Sequence, residues 1–452
     1  MHRFRRASPI LVLGLGTALG MLALGHPGGP ASAQDEGSPA SPEPASDAPD
    51  DRRPGQLDDP GDLRVDTSGW STDFSISAVP YSEIVPGGPG KDGIPAVDDP
   101  QFESIAAARE WLDGRAPVIA LEIDGDARAY PLAILTWHEI ANDVVGGVPV
   151  AVTFCPLCHT ALVYERVLDG TVYDFGVSGN LRYSDLIMHD RQTESWWQQA
   201  TGKAIVGELT GAKLPFIASQ LIGLDQFAVA HPQGLVMSRD TGHVREYGRN
   251  PYAGYDAIDE QPFLFFGVSD GRLSPKERVV TLGEQGREAL SFPYAELRRA
   301  SVAQVEFEGR SIVVLWTPGA VSALDRPLIE ASDDVGSTGV FSATVDGLIL
   351  SFTREGGEAT PITDAGTGST WDVTGRAIDG PLAGTQLMPI PHGDHFWFAW
   401  AAFVSHTSIW TADGRITSGS PVAGGTGKGA DDDAGPVASP EADADAGAED
   451  GA

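Results

Sequence analysis

Two cysteines lie three positions apart in the segment Cys155-Pro156-Leu157-Cys158, and the chain has no other cysteine. A two-residue spacer lets both sulfurs reach one metal ion, or reach each other. Pro156 stiffens the backbone between them because its ring fixes φ. This pair is therefore the first candidate for chemistry in the sequence.

Three interpretations of the cysteine pair remain open from the sequence. It is a structural disulfide in a non-catalytic binding or scaffold module, although so small a ring constrains the unfolded chain little. It is a thiol–disulfide redox centre with Cys155 and Cys158 as catalytic residues, although residues 160–167 look like a strand where a thioredoxin-like site needs a helix. Or it is a metal site, which is the leading interpretation, since two thiolates suit Cu(I) or Zn.

A closed metal site needs more ligands, and three histidines lie in the same part of the chain. His138 precedes the strand that leads to Cys155, His159 follows Cys158 directly, and His189 lies farther on. A lone histidine is more often a surface or capping residue than a ligand. Taken with the sulfurs, however, the three imidazoles complete a predicted ligand set for Cu or Zn.

Two other kinds of catalytic motif do not occur in the sequence. It contains no phosphate-binding glycine loop and no His-Glu-x-x-His. Acidic residues beside predicted turns usually cap backbone groups, so a carboxylate hydrolase is less favoured. Such a hydrolase would draw on the acids Glu139, Asp143, Asp185 and Asp190. Residues 250–255 predict a turn-rich lid or a packed loop.

The elements that must position these residues are mostly strands. Hairpin turns are expected at Asp124-Gly125 and Asp169-Gly170. Helices are expected over 102–112, 132–144 and 219–230. Alternating or β-branched runs predict strands over 118–123, 127–132, 148–154, 161–167, 172–177 and 186–189. The sequence therefore predicts an α+β fold that is mainly antiparallel β.

One order of motifs occurs twice along the chain. The pattern Asp-x-x-Thr-x-Ser-x-Trp begins at Asp190 and again at Asp364, and each is followed by Thr-Gly-basic-Ala-Ile. We infer two homologous β-rich units, 116–240 and 277–412, from an internal duplication. A residue present in both units is expected to serve folding, whereas a site residue should occur in one.

The cysteines occur in the first unit alone. The repeat places Thr317 opposite Cys155 and Ala320 opposite Cys158. Residues 67–115 form a lead-in to the first unit, and residues 241–276 form a connector between the units. A single Cys-x-x-Cys site in the first unit is therefore expected.

The ends of the chain have a different composition. Residues 1–33 combine basic residues, an apolar run and a small-residue cleavage site, which predicts a secretory signal or, alternatively, an uncleaved anchor. Residues 34–66 predict a disordered acidic linker, and residues 413–452 a disordered acidic tail. We expect an extracytoplasmic protein, secreted, periplasmic or cell-surface, with no integral membrane segment after signal removal.

The charge balance argues against one class of partner. The formal net charge is −33, which would repel nucleic acid and anionic lipid. No nucleic acid is therefore expected among the partners, and the sequence identifies neither a substrate nor another partner.

Several segments resemble an uncharacterised family, family 3179 of the domains of unknown function, found in bacteria and archaea. The similarity spans about 67–412 and implies a common fold, but it implies no activity. The residues that carry it are 92–96, Tyr130-Pro131, 138–143, 154–158, 175–179, 190–207, Asn250-Pro251-Tyr252 and 396–400.

The sequence departs from this family at two of the predicted ligands. The family's usual glycine after the second cysteine is His159 here, and its usual tyrosine before Asp-Arg is His189 here. The resemblance therefore implies that a ligand role shared by the family would use Cys155, Cys158 and His138.

Overall fold

The structure, a computed structural model, describes residues 62–418. The predicted signal, most of the linker and most of the tail lie outside the described residues. Within the predicted linker, Leu63 and Val65 pack partly buried against an apolar cluster. Within the predicted tail, Ile416–Thr417 forms a strand.

The first half of the described chain is mostly strands joined by tight turns. Its helices are α1 (Ile105–Ala108), α2 (Leu132–His138) and α3 (Leu224–Ala230), with a 3₁₀ turn at Tyr81–Glu83. Its strands are β1 (Ile84–Pro86), β2 (Val97–Asp98), β3 (Phe102–Ser104), β4 (Pro117–Ile123), β5 (Asp126–Pro131), β6 (Ile140–Val145), β7 (Val148–Cys155), β8 (Thr160–Glu165), β9 (Val167–Leu168), β10 (Thr171–Val172), β11 (Phe175–Arg182), β12 (Asp185–Asp190), β13 (Trp196–Gln198), β14 (Lys203–Val206), β15 (Phe216–Ile217), β16 (Gln220–Gly223) and β17 (Leu235–Met237).

The second half has the same character. Its helices are α4 (Tyr294–Ala300) and α5 (Trp397–Phe403), with a 3₁₀ turn at Ile329–Ala331. Its strands are β18 (Arg278–Gly283), β19 (Ala289–Pro293), β20 (Val302–Phe307), β21 (Arg310–Thr317), β22 (Ser337–Ser342), β23 (Thr344–Val345), β24 (Leu348–Ile349), β25 (Phe352–Thr353), β26 (Ile362–Asp364), β27 (Thr370–Trp371), β28 (Ala377–Asp379), β29 (Gly393–Phe396), β30 (Ser408–Trp410) and β31 (Ile416–Thr417). The predicted β-rich fold with few helices is confirmed.

The predicted hairpins form, but the predicted helices are shorter than expected. Strands β4 and β5 pair in antiparallel register around Asp124 and Gly125, which both have positive φ. Helix α2 ends at His138, because Glu139 turns the backbone at φ +59 and the β-branched run behind it pairs with β7. Residues 102–104 and 220–223 likewise join sheets, which leaves only α1 and α3 as helix.

One sheet takes strands from both halves of the chain. Its order is β2-β6-β7-β8-β29-β18-β19-β30-β31, so first-half strands and second-half strands meet where β8 pairs with β29. Elsewhere, Gln220 of β16 donates its amide to the Thr338 carbonyl of β22 at 3.1 Å. The two halves therefore contact each other at more than one place.

The two halves also repeat one order of elements. Strand, strand, helix and three more strands run from β4 to β8 and again from β18 to β22. In both halves the strand before this helix pairs in parallel with the strand after a later helix, β5 with β17 and β19 with β30.

The repeated Asp-x-x-Thr-x-Ser-x-Trp pattern forms the same turn in both halves. Asp190 accepts hydrogen bonds from the Thr193 amide at 2.6 Å and from the Trp197 indole at 2.9 Å. Asp364 accepts from Thr367 and Trp371 at 2.6 and 3.1 Å. This pattern serves folding in both places, because its aspartate accepts hydrogen bonds from backbone N–H and indole donors.

None of the helices in residues 62–418 has both the length and the apolar character that a bilayer crossing requires.

Candidate functional site

The two cysteines lie at the two ends of a β-hairpin loop. Strand β7 ends at Cys155, β8 begins at Thr160, and these two residues pair across the hairpin. The loop closes with His159 at φ +50, a conformation in which a side chain is uncommon. The predicted strand after the cysteines is confirmed, so the loop does not open a helix as a thioredoxin-like site would.

The hairpin brings both sulfurs to a buried carboxylate. The Cys158 thiol donates to Asp185 Oδ1 at 2.9 Å. The ligand atoms of Cys155, Cys158 and Asp185 all lie within 4.8 Å of one another, and all three residues are buried. Both cysteines are free in this structure. Two thiolates and one carboxylate at this spacing are a ligand set that Zn accepts.

Asp185 is held in place by two further donors. Its Oδ2 accepts from the Gln198 amide at 2.5 Å and from the Ala200 backbone N–H at 2.9 Å. No basic side chain of residues 62–418 forms an ion pair with it. Burial raises the pKa of Asp185 to about 6, although these hydrogen bonds and that of Cys158 act in the opposite direction. A buried carboxylate without a counter-ion is costly, and a bound cation would remove that cost.

The thiols are protonated at neutral pH. Burial raises the pKa of Cys155, and it raises the pKa of Cys158 well above the usual range, with the nearby Asp185 adding to both. A thiolate is the form that attacks a disulfide or binds a metal. Because a metal would displace these protons, binding at this site should release protons to solvent.

His138 lies elsewhere, between the lead-in and the connector. Its Nδ1–H donates to the Pro95 carbonyl at 2.7 Å, and its Nε2 lies 2.7 Å from the Tyr247 hydroxyl. Burial lowers the pKa of His138 to about 4. Both ring nitrogens therefore have partners, and the residue packs the connector onto the first half.

His159 and His189 also point away from the sulfurs. The His159 ring stacks on Phe396 with centroids 5.0 Å apart, and neither ring nitrogen has a partner within the described chain. His189 Nε2 lies 3.1 Å from Asp92 Oδ1. Across residues 62–418 no histidine joins the group of two sulfurs and one carboxylate. The structure thus keeps the cysteines of the predicted ligand set together and places its three imidazoles apart.

Two of the four candidate acids are structural. Asp143 forms an ion pair with Arg128 at 2.7 Å and accepts from the Tyr130 hydroxyl at 2.6 Å. Asp190 belongs to the folding turn described above. The remaining two, Glu139 and Asp185, lie at the site.

A cavity of about 430 Å³ adjoins the sulfur–carboxylate group. Its walls include Leu157, from between the two cysteines, and Leu186, which follows Asp185. Glu139 also lines it, and burial, with the charge of Asp185, raises the pKa of Glu139 to about 8. At neutral pH this carboxyl is therefore mostly protonated and can donate a hydrogen bond.

The connector forms part of the cavity wall. Tyr252 and Tyr255 line the cavity, and burial raises the pKa of both phenols, with the nearby Cys155 contributing to each. The segment predicted as a lid or a packed loop therefore contributes to this wall.

The sequence matches one family. The profile described as a protein of unknown function, DUF3179, matches residues 91–407. The chain belongs to this family. Neither a curated protein nor a solved structure matches the chain. The matched span of this DUF3179 protein contains the cysteine pair, Asp185, Glu139, Tyr252 and Tyr255.

Two residues of this DUF3179 site were not assigned their place from the sequence. Asp185 was only one of several acids, and Glu139 lay in a stretch predicted as helix. The sequence repeat distinguishes both acids from their counterparts. The alignment that matches Asp190 with Asp364 places Ala359 opposite Asp185, and the repeat places Ser301 opposite Glu139. Each acid, like the sulfurs, therefore occurs in one unit only.

Proposed function

We propose that this protein binds a thiophilic metal ion, Zn²⁺, through Cys155, Cys158 and Asp185. The observation that carries the proposal is the convergence of two sulfurs and one carboxylate oxygen within 4.8 Å in a buried position. Cu(I) favours soft ligands, whereas Zn²⁺ accepts thiolate and carboxylate together, so the carboxylate favours Zn²⁺. Three protein ligands leave a fourth position for water or another ligand.

Metal analysis of protein purified without a histidine tag tests the proposal. We expect about one Zn per chain in the wild type and almost none in the Cys155→Ser, Cys158→Ser double variant. Asp185→Asn keeps the shape but removes the charge, so affinity should fall by about tenfold or more. Asp394→Asn is the matched control, because Asp394 is an equally buried acid hydrogen-bonded to Tyr294 at 2.6 Å.

Unchanged Zn content in the double variant would refute the metal proposal. Equal loss of Zn in Asp185→Asn and Asp394→Asn would also count against it, because that result would trace the loss to general damage of the fold.

A second candidate function, a thiol–disulfide oxidoreductase, is favoured by the contact between Cys158 and Asp185. The carboxylate can accept the thiol proton, after which the pair passes two electrons to a partner disulfide and itself becomes a disulfide. Measurement of the reduction potential tests this candidate. A value below about −300 mV would mark an inert pair and would exclude this function.

We also propose that the protein works outside the cytoplasm, as the predicted signal at 1–33 suggests. Fusion of residues 1–66 to alkaline phosphatase, which is active only where disulfides form, tests this. An active fusion is expected, and an inactive but stable fusion would contradict the proposal.

The internal duplication is likewise our proposal. What supports it is the twofold occurrence of the same element order and of the same acid-centred turn. The second unit then lacks the sulfurs and both site acids.

A further inference from the structure

We propose that the cavity beside the sulfur–carboxylate group binds one uncharged, largely apolar organic molecule that carries a carbonyl or a similar hydrogen-bond acceptor. The cavity volume of about 430 Å³ falls in the range of small-molecule sites. The inference goes beyond the metal proposal and does not depend on it, because no atom of the metal group lines the cavity.

The walls of the cavity are mainly apolar. They come from the lead-in, from the cysteine loop, from β11 and β12, and from the connector, through Ile94, Leu157, Val177, Leu181, Leu186 and Phe263. Apolar walls contributed by separate segments favour a ligand whose surface is mostly hydrocarbon.

Three polar side chains that are not exposed line the same cavity without a hydrogen-bond partner in the described chain: Glu139, Asn180 and Tyr252. Glu139 is 7% exposed and Asn180 is 6% exposed, so water can form hydrogen bonds with these side chains only from within the cavity. Buried polar groups are normally paired, which makes unpaired ones around one cavity candidates for ligand contacts.

The backbone is shaped to present one of these groups. Asn180 follows a bulge in β11, where Gly179 has φ +78 and an added Cβ would lie 2.0 Å from the Pro89 carbonyl oxygen. Bulges are frequent next to binding sites, because there they aim particular side chains.

The charges around the cavity favour an uncharged ligand. Lys276 and the exposed Glu260 also line the cavity, and their opposite charges interact. The Lys276 ammonium also donates to the Tyr255 carbonyl and lies 3.8 Å from the centroid of that ring. Its charge is thus already engaged. With the carboxyl of Glu139 protonated and a chain charge of −33, an anion finds no free cation here.

Binding of prodan, an uncharged naphthyl ketone whose emission reports polarity, tests the inference. We expect saturable 1:1 binding with blue-shifted emission in the wild type. Ala253→Trp places a large ring at a cavity-lining position and should weaken binding by more than about tenfold. Ala257→Trp is the matched control, since Ala257 is an exposed connector alanine that does not line the cavity, and binding should stay within about twofold.

A milder variant protects the test against misfolding. Tyr252→Phe removes only the hydroxyl, so prodan binding should weaken by about fivefold.

The double cysteine-to-serine variant should keep prodan binding even where it holds no metal, so this inference and the metal proposal fail separately.

Three results would overturn the inference. They are an absence of saturable prodan binding in the wild type, equal binding by Ala253→Trp and Ala257→Trp, and binding of the anionic naphthalene sulfonate 1,8-ANS at the same site as tightly as prodan.

Discussion

Glu139 is constrained both by its backbone and by its burial. Its φ of +59 costs conformational free energy, and its buried carboxyl loses hydration. The side chain has no hydrogen-bond partner in residues 62–418 that would offset these costs. Ser301 ends α4 with a similar positive φ, so this backbone geometry belongs to the fold, whereas the buried carboxyl is particular to Glu139.

The burial of Glu139 predicts a pH-dependent effect on stability. Its pKa is about 8 in the folded protein and about 4.5 when unfolded, so the unfolded state loses this proton first as the pH rises. Wild-type stability should therefore fall, relative to Glu139→Gln, between about pH 5 and pH 8. At pH 8 the variant should be more stable by a few kcal/mol.

Urea unfolding of both proteins at several pH values measures this difference. Asp185, Cys155 and Tyr252 face Glu139 and titrate in both proteins, so the difference isolates Glu139. A gap that stays constant from pH 5 to pH 8 would show that Glu139 is ionised in the folded state.

The buried thiols give a second prediction at this scale. Cys155 is 1% exposed and Cys158 is fully buried, and both are protonated near neutral pH. In metal-free, reduced native protein, the two thiols should react with a disulfide reagent such as DTNB about 100 times or more slowly than the thiols of urea-unfolded protein. Rapid reaction of native protein would mean that the hairpin opens easily.

Among the elements, the acid-centred turns are the clearest stabilising features. Asp364 accepts from the Thr367 amide and hydroxyl, the Ser369 amide and the Trp371 indole. Asp364→Ala would leave these donors unpaired and should cost about 2–4 kcal/mol. Asp190→Ala should cost a similar amount, because its turn is the same.

Chemical denaturation measures both variants. Asp379→Ala is the control, since this exposed acid lies in the same sheet as Asp364 and accepts a bond only from the adjacent Gly380 amide. Equal stability of Asp364→Ala and Asp379→Ala would contradict the structural role of the turn.

The sequence predicts elements best where local chemistry decides them. The turn at Asp124-Gly125 and the strand that ends at Cys155 follow from residue types nearby, and both form. The end of α2 at His138 depends on the pairing of β6 with β7, a contact between strands that helical periodicity does not contain. Tertiary pairing therefore overrode the local helical preference there.

The site shows the same limit over longer distances. The cysteine spacing marks the sulfurs, but Asp185 reaches Cys158 across 27 positions in sequence, from a strand of another sheet. Proximity in sequence alone predicts that the histidines lie with the sulfurs. The tertiary fold instead brings His138 into contact with Pro95 and Tyr247.

Across the whole molecule, the two halves share their apolar cores. One cluster contains Phe154 from the first half and Phe396 from the second, and another contains Val118 and Val313. Separate chains of residues 62–240 and 241–418 should therefore each lack a complete core. We expect neither to unfold cooperatively alone and the mixture to regain the native circular dichroism spectrum. Cooperative unfolding of either chain by itself would contradict this.

The junction where β8 meets β29 has a consequence for ancestry under the proposed duplication. An unduplicated ancestor would have had two unpaired strand edges. The simplest way to pair both edges is a symmetric homodimer in which each chain covers the edges of the other. Fusion of the two chains would then have ended the requirement that both partners be alike. One copy could then lose its two cysteines while it continued to cover the cysteines of the other copy.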